Sequence, residues 1–231
     1  MKTLFWFVLV SCCVGAVSAQ ERVIEKAEFD TMLTQGNSHG IKWKGEKYRM
    51  TVTTSAKVIG RPQMDHSSKS IHEFGSSSDS RSMTTSVFGS NSASTGESIR
   101  IGNWIYTRFG KDAWSRKEYA IATPAPAKES ADMGFEILSS QAEYRYLGEG
   151  KLVDKPVQMF AKTERQKKVS RSSGETSETE SKNIYWVDPN GMILKSEYTS
   201  ETRGKFTSHI SVVIEWQLDP SITLTAPEVV P

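Results

Sequence analysis

The clearest pattern in the chain is an alternation of apolar and polar residues near its C-terminus. Over Phe206–Leu218 the even positions are mostly apolar and the odd positions mostly polar, which predicts a long strand with one apolar face. Upstream, the apolar run Ile184–Val187 and the alternating run Met192–Ser200 flank Asp188–Gly191, a sequence typical of a tight turn. Together these segments predict an antiparallel meander with one apolar and one solvated face.

Further strands are predicted in the first half of the chain. Tyr48–Gly60 alternates in the same way and predicts a strand buried on one side. The Ser- and Thr-rich segment Gln63–Gly96 predicts two exposed strands, about 66–74 and 81–88, joined by a Ser-rich turn. A low-complexity linker is the competing interpretation of that segment.

Two segments have helical rather than strand-like spacing. Gln20–Leu33 contains good helix formers and a ragged apolar stripe, which predicts a short helix. A second helix is predicted after two prolines, where apolar residues recur at intervals of three or four. Its face would consist of Ala127, Ala131, Phe135, Leu138 and Ala142.

The remaining segments complete an α+β fold. Ser98–Phe109 predicts one strand that forms a hairpin with 114–119, while Tyr144–Gly148 and Val157–Glu164 predict a second strand pair. Ser170–Ser181 is polar without apolar anchors and predicts a long loop. The expected fold has eight to eleven antiparallel strands and one or two helical insertions.

Composition places the chain among globular proteins. It has 231 residues, 37% hydrophobic and 24% charged, with a net charge of +2. A charge this close to zero gives no basic footprint, so no nucleic-acid partner is expected.

The N-terminus has the pattern of a signal sequence. A basic start, an apolar run over 4–17 and small residues before Gln20 predict cleavage after residue 19, with 20–231 as a single exported domain. Both cysteines, Cys12 and Cys13, would then be removed, so no disulfide is expected. An alternative interpretation is a bacterial lipobox at 9–12, in which Cys12 is acylated and anchors the protein.

The sequence lacks the common catalytic motifs. It contains no nucleophile elbow, phosphate-binding loop or dinucleotide fingerprint. His72 and Glu73 begin a zinc-protease pattern, but a serine stands where the second histidine is needed. A metal held across a strand pair by Asp65 and His66 with His72 and Glu73 is a minor alternative. The protein is therefore expected to be neither an enzyme nor a metalloprotein and to need no cofactor.

Aromatic and apolar residues on strand faces are plentiful and are the candidate functional residues. For most of them the simplest interpretation is a packed core. The functional alternative is a curved sheet that its helices only partly fill, leaving an apolar hollow for an acyl chain. The candidate ligand-binding residues are Trp104, Tyr106, Tyr144, Tyr146, Trp186, Leu194, Ile210, Val212, Ile214 and Trp216.

The order of these elements resembles a known superfamily. The most specific segments are Tyr144–Gly150 and Tyr185–Tyr198, in which an aromatic strand, an Asp-x-x-Gly turn and a strand follow one another. The chain resembles the LolA/LprG-like carriers of lipoproteins and lipids. The resemblance implies a strongly curved antiparallel sheet, or incomplete β-barrel, with one or two helices across its opening. It also implies a hollow that holds acyl chains in the periplasm or cell envelope.

The leading hypothesis is thus a non-enzymatic carrier whose partners are lipid or lipoprotein acyl chains and a membrane-bound donor or acceptor. A structural or adhesive envelope domain with a filled core is the runner-up. A secreted hydrolase that uses His66 or His72 is third.

Overall fold

The structure, a computed structural model, describes residues 21–37, 45–75, 78–118 and 134–229. The signal sequence and residues 127–133 of the second predicted helix lie outside these ranges. The described residues form one α-helix, one 3-10 turn and twelve strands. The elements are β1 (Arg22–Val23), α1 (Lys26–Asn37), β2 (Tyr48–Val58), the 3-10 turn (Pro62–Met64), β3 (His66–Phe74), β4 (Ser80–Phe88), β5 (Ser94–Ile101), β6 (Trp104–Phe109), β7 (Ser115–Glu118), β8 (Phe135–Leu152), β9 (Lys155–Ser170), β10 (Thr176–Val187), β11 (Ile193–Arg203) and β12 (Ser208–Leu218).

All twelve strands belong to one antiparallel sheet with the order β1-β8-β9-β10-β11-β12-β2-β3-β4-β5-β6-β7. The sheet is curved and does not close, which agrees with an open half-barrel. The last strand, β12, pairs along its whole length with β2, from Ser208 opposite Val58 to Leu218 opposite Tyr48. This pairing joins the C-terminal meander to the early strands.

The pairing register sorts the side chains onto two faces, because directly opposite residues on neighbouring strands point to the same side. Phe160 on β9 pairs with Tyr185 on β10, and Ile214 on β12 shares their side. We call this side the helix-bearing face. The opposite side, which carries Arg49 and Glu73, we call the charged face.

The helix α1 covers one end of the helix-bearing face. Phe29 is buried, with its ring centroid 4.9 Å from that of Tyr144 and 6.0 Å from that of Tyr185. Met32 and Leu33 follow Phe29 at the spacing of one helix face and pack against the same cluster. The buried cluster consists of Ile24, Phe29, Phe160, Val187 and Ile193.

Most of the predicted elements are confirmed. The meander is formed by β10, β11 and β12, the Ser- and Thr-rich segment forms β3 and β4, and 48–58 forms β2. The first predicted helix begins later than expected, at Lys26, because Arg22 and Val23 pair with β8 instead.

The second predicted helix is wrong over its described part, since Phe135, Leu138 and Ala142 lie in β8. Every residue from Phe135 to Glu143 is exposed, so the apolar spacing marks no buried helix face. Pairing with β9, with a register shift around Leu138, determines the structure of this segment instead.

The long loop predicted at Ser170–Ser181 is also wrong. Only 171–175 form a turn, with Gly174 at φ 68°, and β10 begins at Thr176. Backbone pairing with β9 and β11 holds this polar strand, so it needs no apolar anchors. Charged pairs such as Lys167 with Glu178, 3.3 Å apart, accompany the ladder.

The single strand predicted at Ser98–Phe109 is wrong as well, because it divides into β5 and β6. Gly102 adopts φ 54° and its amide donates to Asp79 Oδ1 at 2.9 Å, which makes a two-residue hairpin turn. With this division and β1, the described sheet has twelve strands rather than eight to eleven.

A ladder of alternating charges crosses the charged face from β2 to β6. Its most buried member is Glu97, whose side chain is only 5% exposed and lies 2.6 Å from Arg81 and 2.7 Å from Arg108. At the other end, Arg49 lies 2.9 Å from Glu73 and 3.1 Å from an aspartate after β12. In order, the ladder is Asp219, Arg49, Glu73, Arg81, Glu97 and Arg108.

We expect Glu97→Gln to lower the free energy of unfolding by about 2 kcal/mol, because two guanidinium groups lose a buried carboxylate but remain partly hydrated. Urea denaturation measures the loss. Glu178→Gln is the matched control: its exposed pair with Lys167 should contribute less than about 0.5 kcal/mol. Equal losses in both variants would show that the ladder adds no buried electrostatic stabilisation.

Among the described residues, no helix has the length and apolar character needed to cross a bilayer.

Candidate functional site

The helix-bearing face carries a band of apolar side chains that continues beyond α1. Ile210, Val212 and Ile214 on β12 lie opposite Ala56, Thr54 and Val52 on β2. Trp216 follows at the helix-covered end and packs against the buried cluster. We call this band the apolar stripe, defined by Ile210, Val212, Ile214, Trp216, Met50, Val52 and Ala56.

The apolar stripe is only partly buried. Val212 and Ile214 are half-buried, whereas Ile210, at the end remote from the helix, is 38% exposed. Each apolar group left in water forgoes the favourable free energy of burial. Binding of an apolar ligand to the exposed end of the stripe is therefore favourable, because it removes apolar surface from water.

Hydroxyl groups bound the apolar stripe on the side of β3 and β4. Ser68 and Ser70 on β3 pair with Ser86 and Thr84 on β4, and the Ser70 and Thr84 hydroxyls are 2.8 Å apart. Thr54 on β2 pairs with Ser68 and marks the border. The Ser- and Thr-rich segment thus gives the helix-bearing face a polar half beside its apolar one.

Two titratable side chains on the helix-bearing face favour their neutral forms, and two others form an ion pair. Burial lowers the pKa of His72 and raises the pKa of Tyr185, so each favours its neutral form. Lys162 and Glu164 form an ion pair of 2.7 Å. Their hydrogen bond raises the pKa of Lys162 and lowers that of Glu164.

The structure brings together only some of the ten predicted site residues. Six share the helix-bearing face, and Leu194 is buried next to Ile193, where β11 changes register against β10. Trp104, Tyr106 and Trp186 lie on the charged face, where Arg116 covers the Trp104 ring at 4.4 Å. The six are Tyr144, Tyr146, Ile210, Val212, Ile214 and Trp216.

Tyr144 and Tyr146 lie under α1, so they belong to the packed part of the helix-bearing face. The Phe29 ring contacts Tyr144, and the Tyr146 ring lies 5.3 Å from the ring of buried Phe160. The predicted site residues that remain accessible beyond the helix are therefore those of β12.

Sequence reasoning missed the contribution of β2 to the site. Met50, Val52 and Ala56 line the apolar stripe because β2 pairs with β12, which lies about 160 positions later in the chain. The alternation within 48–58 predicts a strand with one apolar face but carries no signal for this partner. Pairing between distant segments is set by the whole sheet.

Two open depressions of about 750 and 740 Å³ occur in the described structure, and the lining of the first includes Ile210 of the stripe. Their linings are mainly charged-face residues of β8 to β12, such as Arg165, Glu180 and Lys182. Charged and hydroxyl-bearing side chains predominate in both linings, so the candidate site for an acyl chain is the open stripe, which meets the first depression at Ile210.

No cluster of three or more histidine, cysteine, aspartate or glutamate side chains that could hold a metal occurs in the described part of the chain. His66 stacks on Phe88 with centroids 4.2 Å apart, while His72 lies 6.5 Å from Phe74. Both histidines thus pack against aromatic rings on the helix-bearing face.

No family model and no curated protein sequence matches the chain. Among solved structures, it is similar to a LolA superfamily protein from Nitrosomonas europaea, at 9% identity and TM-score 0.27, covering 81% of this chain and 90% of that one. A putative outer membrane lipoprotein-sorting protein domain from Vibrio parahaemolyticus gives 8% identity, TM-score 0.23 and coverages of 84% and 92%. A chain of the MucA/MucB complex of Pseudomonas aeruginosa gives 9% identity and TM-score 0.27, covering 83% of this chain and 95% of that one. At these values none of their properties is transferred to this chain.

Proposed function

We propose that the protein is an exported, non-enzymatic carrier that binds the acyl chains of a lipid or lipoprotein on the apolar stripe. The observation that carries the proposal is the accessible apolar surface at Ile210, on the same face as a well-packed core. On the helix-bearing face the buried cluster leads directly into the open stripe. An apolar ligand bound on the stripe would therefore pack next to the protein's own core.

The shape of the stripe suits an acyl chain. From Ile210 to Trp216 it extends about 20 Å at about 3.3 Å per residue, and it is two strands wide, with strands about 4.8 Å apart. Each methylene removed from water contributes about 0.8 kcal/mol. Such a long, narrow apolar surface matches a flexible chain better than a compact ring system.

Uncharged surroundings favour the same ligand class. Near the stripe, hydroxyls of β3 and β4 and the half-buried His72, whose pKa burial lowers, present polar but uncharged groups. An amphiphile could lay its chain on the stripe and its polar end on these hydroxyls. No proton transfer or nucleophile takes part in such binding.

Native mass spectrometry of protein purified from its own host tests the proposal. We expect a bound species that dissociates on activation and whose mass is that of a lipid or acylated peptide. A chain that remains free of such species, and that also fails to quench or shift a fluorescent fatty acid, would contradict the carrier function.

A structural or adhesive envelope domain is the second candidate. The observation that favours it is the number of charged and hydroxyl-bearing residues that line both depressions. The same mass spectrum distinguishes the two, because an adhesive domain with a filled core would carry no lipid.

A further inference from the structure

Three hairpin turns meet at one end of the sheet and form a continuous surface. The register places them together: β2 ends at Val58 opposite Ser208, where β12 begins, and β3 begins at His66 opposite Phe88, where β4 ends. The turns are 59–65, 89–93 and 204–207. We call them, with Phe88, the hairpin rim.

Direct contacts hold the rim together. The Gly89 amide donates to the Asp65 carbonyl at 2.7 Å, and the Ile59 amide donates to the Thr207 carbonyl at 2.9 Å. The Arg61 guanidinium lies 3.6 Å from the centroid of the Phe206 ring. A Cβ at position 89 would lie only 3.0 Å from the backbone of residue 63, so glycine permits this close approach.

Large apolar side chains protrude from the rim. Ile59, Met64, Phe88 and Phe206 are between 38% and 61% exposed. Turns are ordinarily polar, so four exposed apolar side chains on contiguous turns mark an interaction surface.

The three turns of the rim carry two cations and one carboxylate. Arg61 lies over Phe206, and Lys205 is exposed and pairs with Glu175 across 3.4 Å. The one carboxylate within the three turns, all of which the structure describes, is Asp65. It turns inward to accept the Val58 amide at 3.0 Å and is half-buried. Exposed apolar groups flanked by cations fit the surface of an anionic bilayer.

The rim is continuous with the apolar stripe. Along one row of the helix-bearing face, Ile210 pairs with Ala56, Ala56 with His66, and His66 with Phe88. This row leads from the exposed end of the stripe to the rim. We propose that the hairpin rim docks onto anionic membrane surfaces, which places the open end of the stripe against the bilayer. The inference builds on the proposed carrier function and names the surface where cargo is exchanged.

Vesicle co-sedimentation tests the docking. We expect the wild-type protein to bind vesicles of phosphatidylcholine with phosphatidylglycerol and to bind pure phosphatidylcholine much less. Removing two exposed apolar side chains in Ile59→Ser/Met64→Ser should weaken binding about tenfold, because burial of each contributes a fraction of its transfer free energy. Arg61→Glu should weaken binding to the anionic vesicles alone.

Val153→Ser is the matched control, because Val153 is 88% exposed on a hairpin turn at the opposite end of the sheet. It should bind vesicles like the wild type. The inference would be overturned if the wild-type protein did not bind anionic vesicles, or if the rim variant and the control lost vesicle binding equally. Mass spectrometry separates the two proposals: a protein that carries lipid but binds no vesicles refutes docking alone, and one that binds vesicles without cargo refutes the carrier alone.

Discussion

Replacing Phe160 by alanine is expected to lower the free energy of unfolding by about 3 to 5 kcal/mol. Phe160 is 1% exposed and lies at the centre of the cluster that joins α1 to the sheet. The truncation leaves a cavity among Phe29, Tyr146 and Val187 that these neighbours can fill only in part. Chemical denaturation monitored by tryptophan fluorescence measures the loss.

Phe109→Ala is the control for this prediction. Phe109 is 72% exposed at the end of β6, so its truncation should change stability by less than about 0.5 kcal/mol. A loss from Phe160→Ala no greater than that from Phe109→Ala would mean that the cluster under α1 is not the core of the fold.

Val212→Asp is expected to abolish acyl-chain binding while the protein remains folded. Val212 lies in the middle of the apolar stripe, between Tyr198 and Thr54 on the neighbouring strands. A carboxylate there would have to be desolvated or protonated when a chain covers it, which costs several kcal/mol. Titration with a fluorescent fatty acid measures binding, and the far-ultraviolet circular dichroism spectrum checks the fold.

Val213→Asp provides a matched control on the same strand. Val213 is half-buried like Val212 but points to the charged face, opposite Glu197 and Thr53. It makes the same chemical change in the same strand and should leave binding within about twofold, because the substituted side chain is separated from the ligand by the sheet. Equal loss of binding in two folded variants would contradict the assignment of the site to the helix-bearing face.

Local patterns in the sequence were sufficient for the strands with one apolar face. In β12 and β2 most apolar side chains lie on the helix-bearing face and are at least partly buried, so alternation in the sequence follows the pleat. The turn at Asp188–Gly191 was predictable for a similar reason: the Asp188 carboxylate accepts backbone amides of Asn190 and Met192, which is local chemistry.

Strands without a buried face gave no such signal. The first half of β8 is exposed throughout, and β10 begins with alternating Ser, Thr and Glu residues between two long neighbours. Backbone pairing with β9 determines the structure of both segments. The spacing of apolar residues in the sequence gives no indication of this pairing. The predicted helix, over its described residues Phe135–Ala142, and the loop predicted at Ser170–Ser181 failed for this common reason.

The candidate site was predictable in its residue types more than in its geometry. The β12 residues Ile210, Val212 and Ile214 follow from alternation alone, whereas the division of the aromatic residues between two faces depends on strand register. Trp104 and Trp186 each have an apolar ring, yet each ring packs beneath a cation on the charged face. The spacing of residues within one strand does not show which residues of a distant strand lie on the same face of the sheet.

The central claim is that the apolar stripe, and not the charged face, contacts an acyl chain. Methyl nuclear magnetic resonance with a spin-labelled fatty acid tests it most directly, because the label broadens nearby methyl signals. The account predicts strong broadening of the Ile210 and Val212 methyl signals and little effect on Val213, on the opposite face of the same strand. Equal broadening of all three, or none at saturating fatty acid, would contradict it.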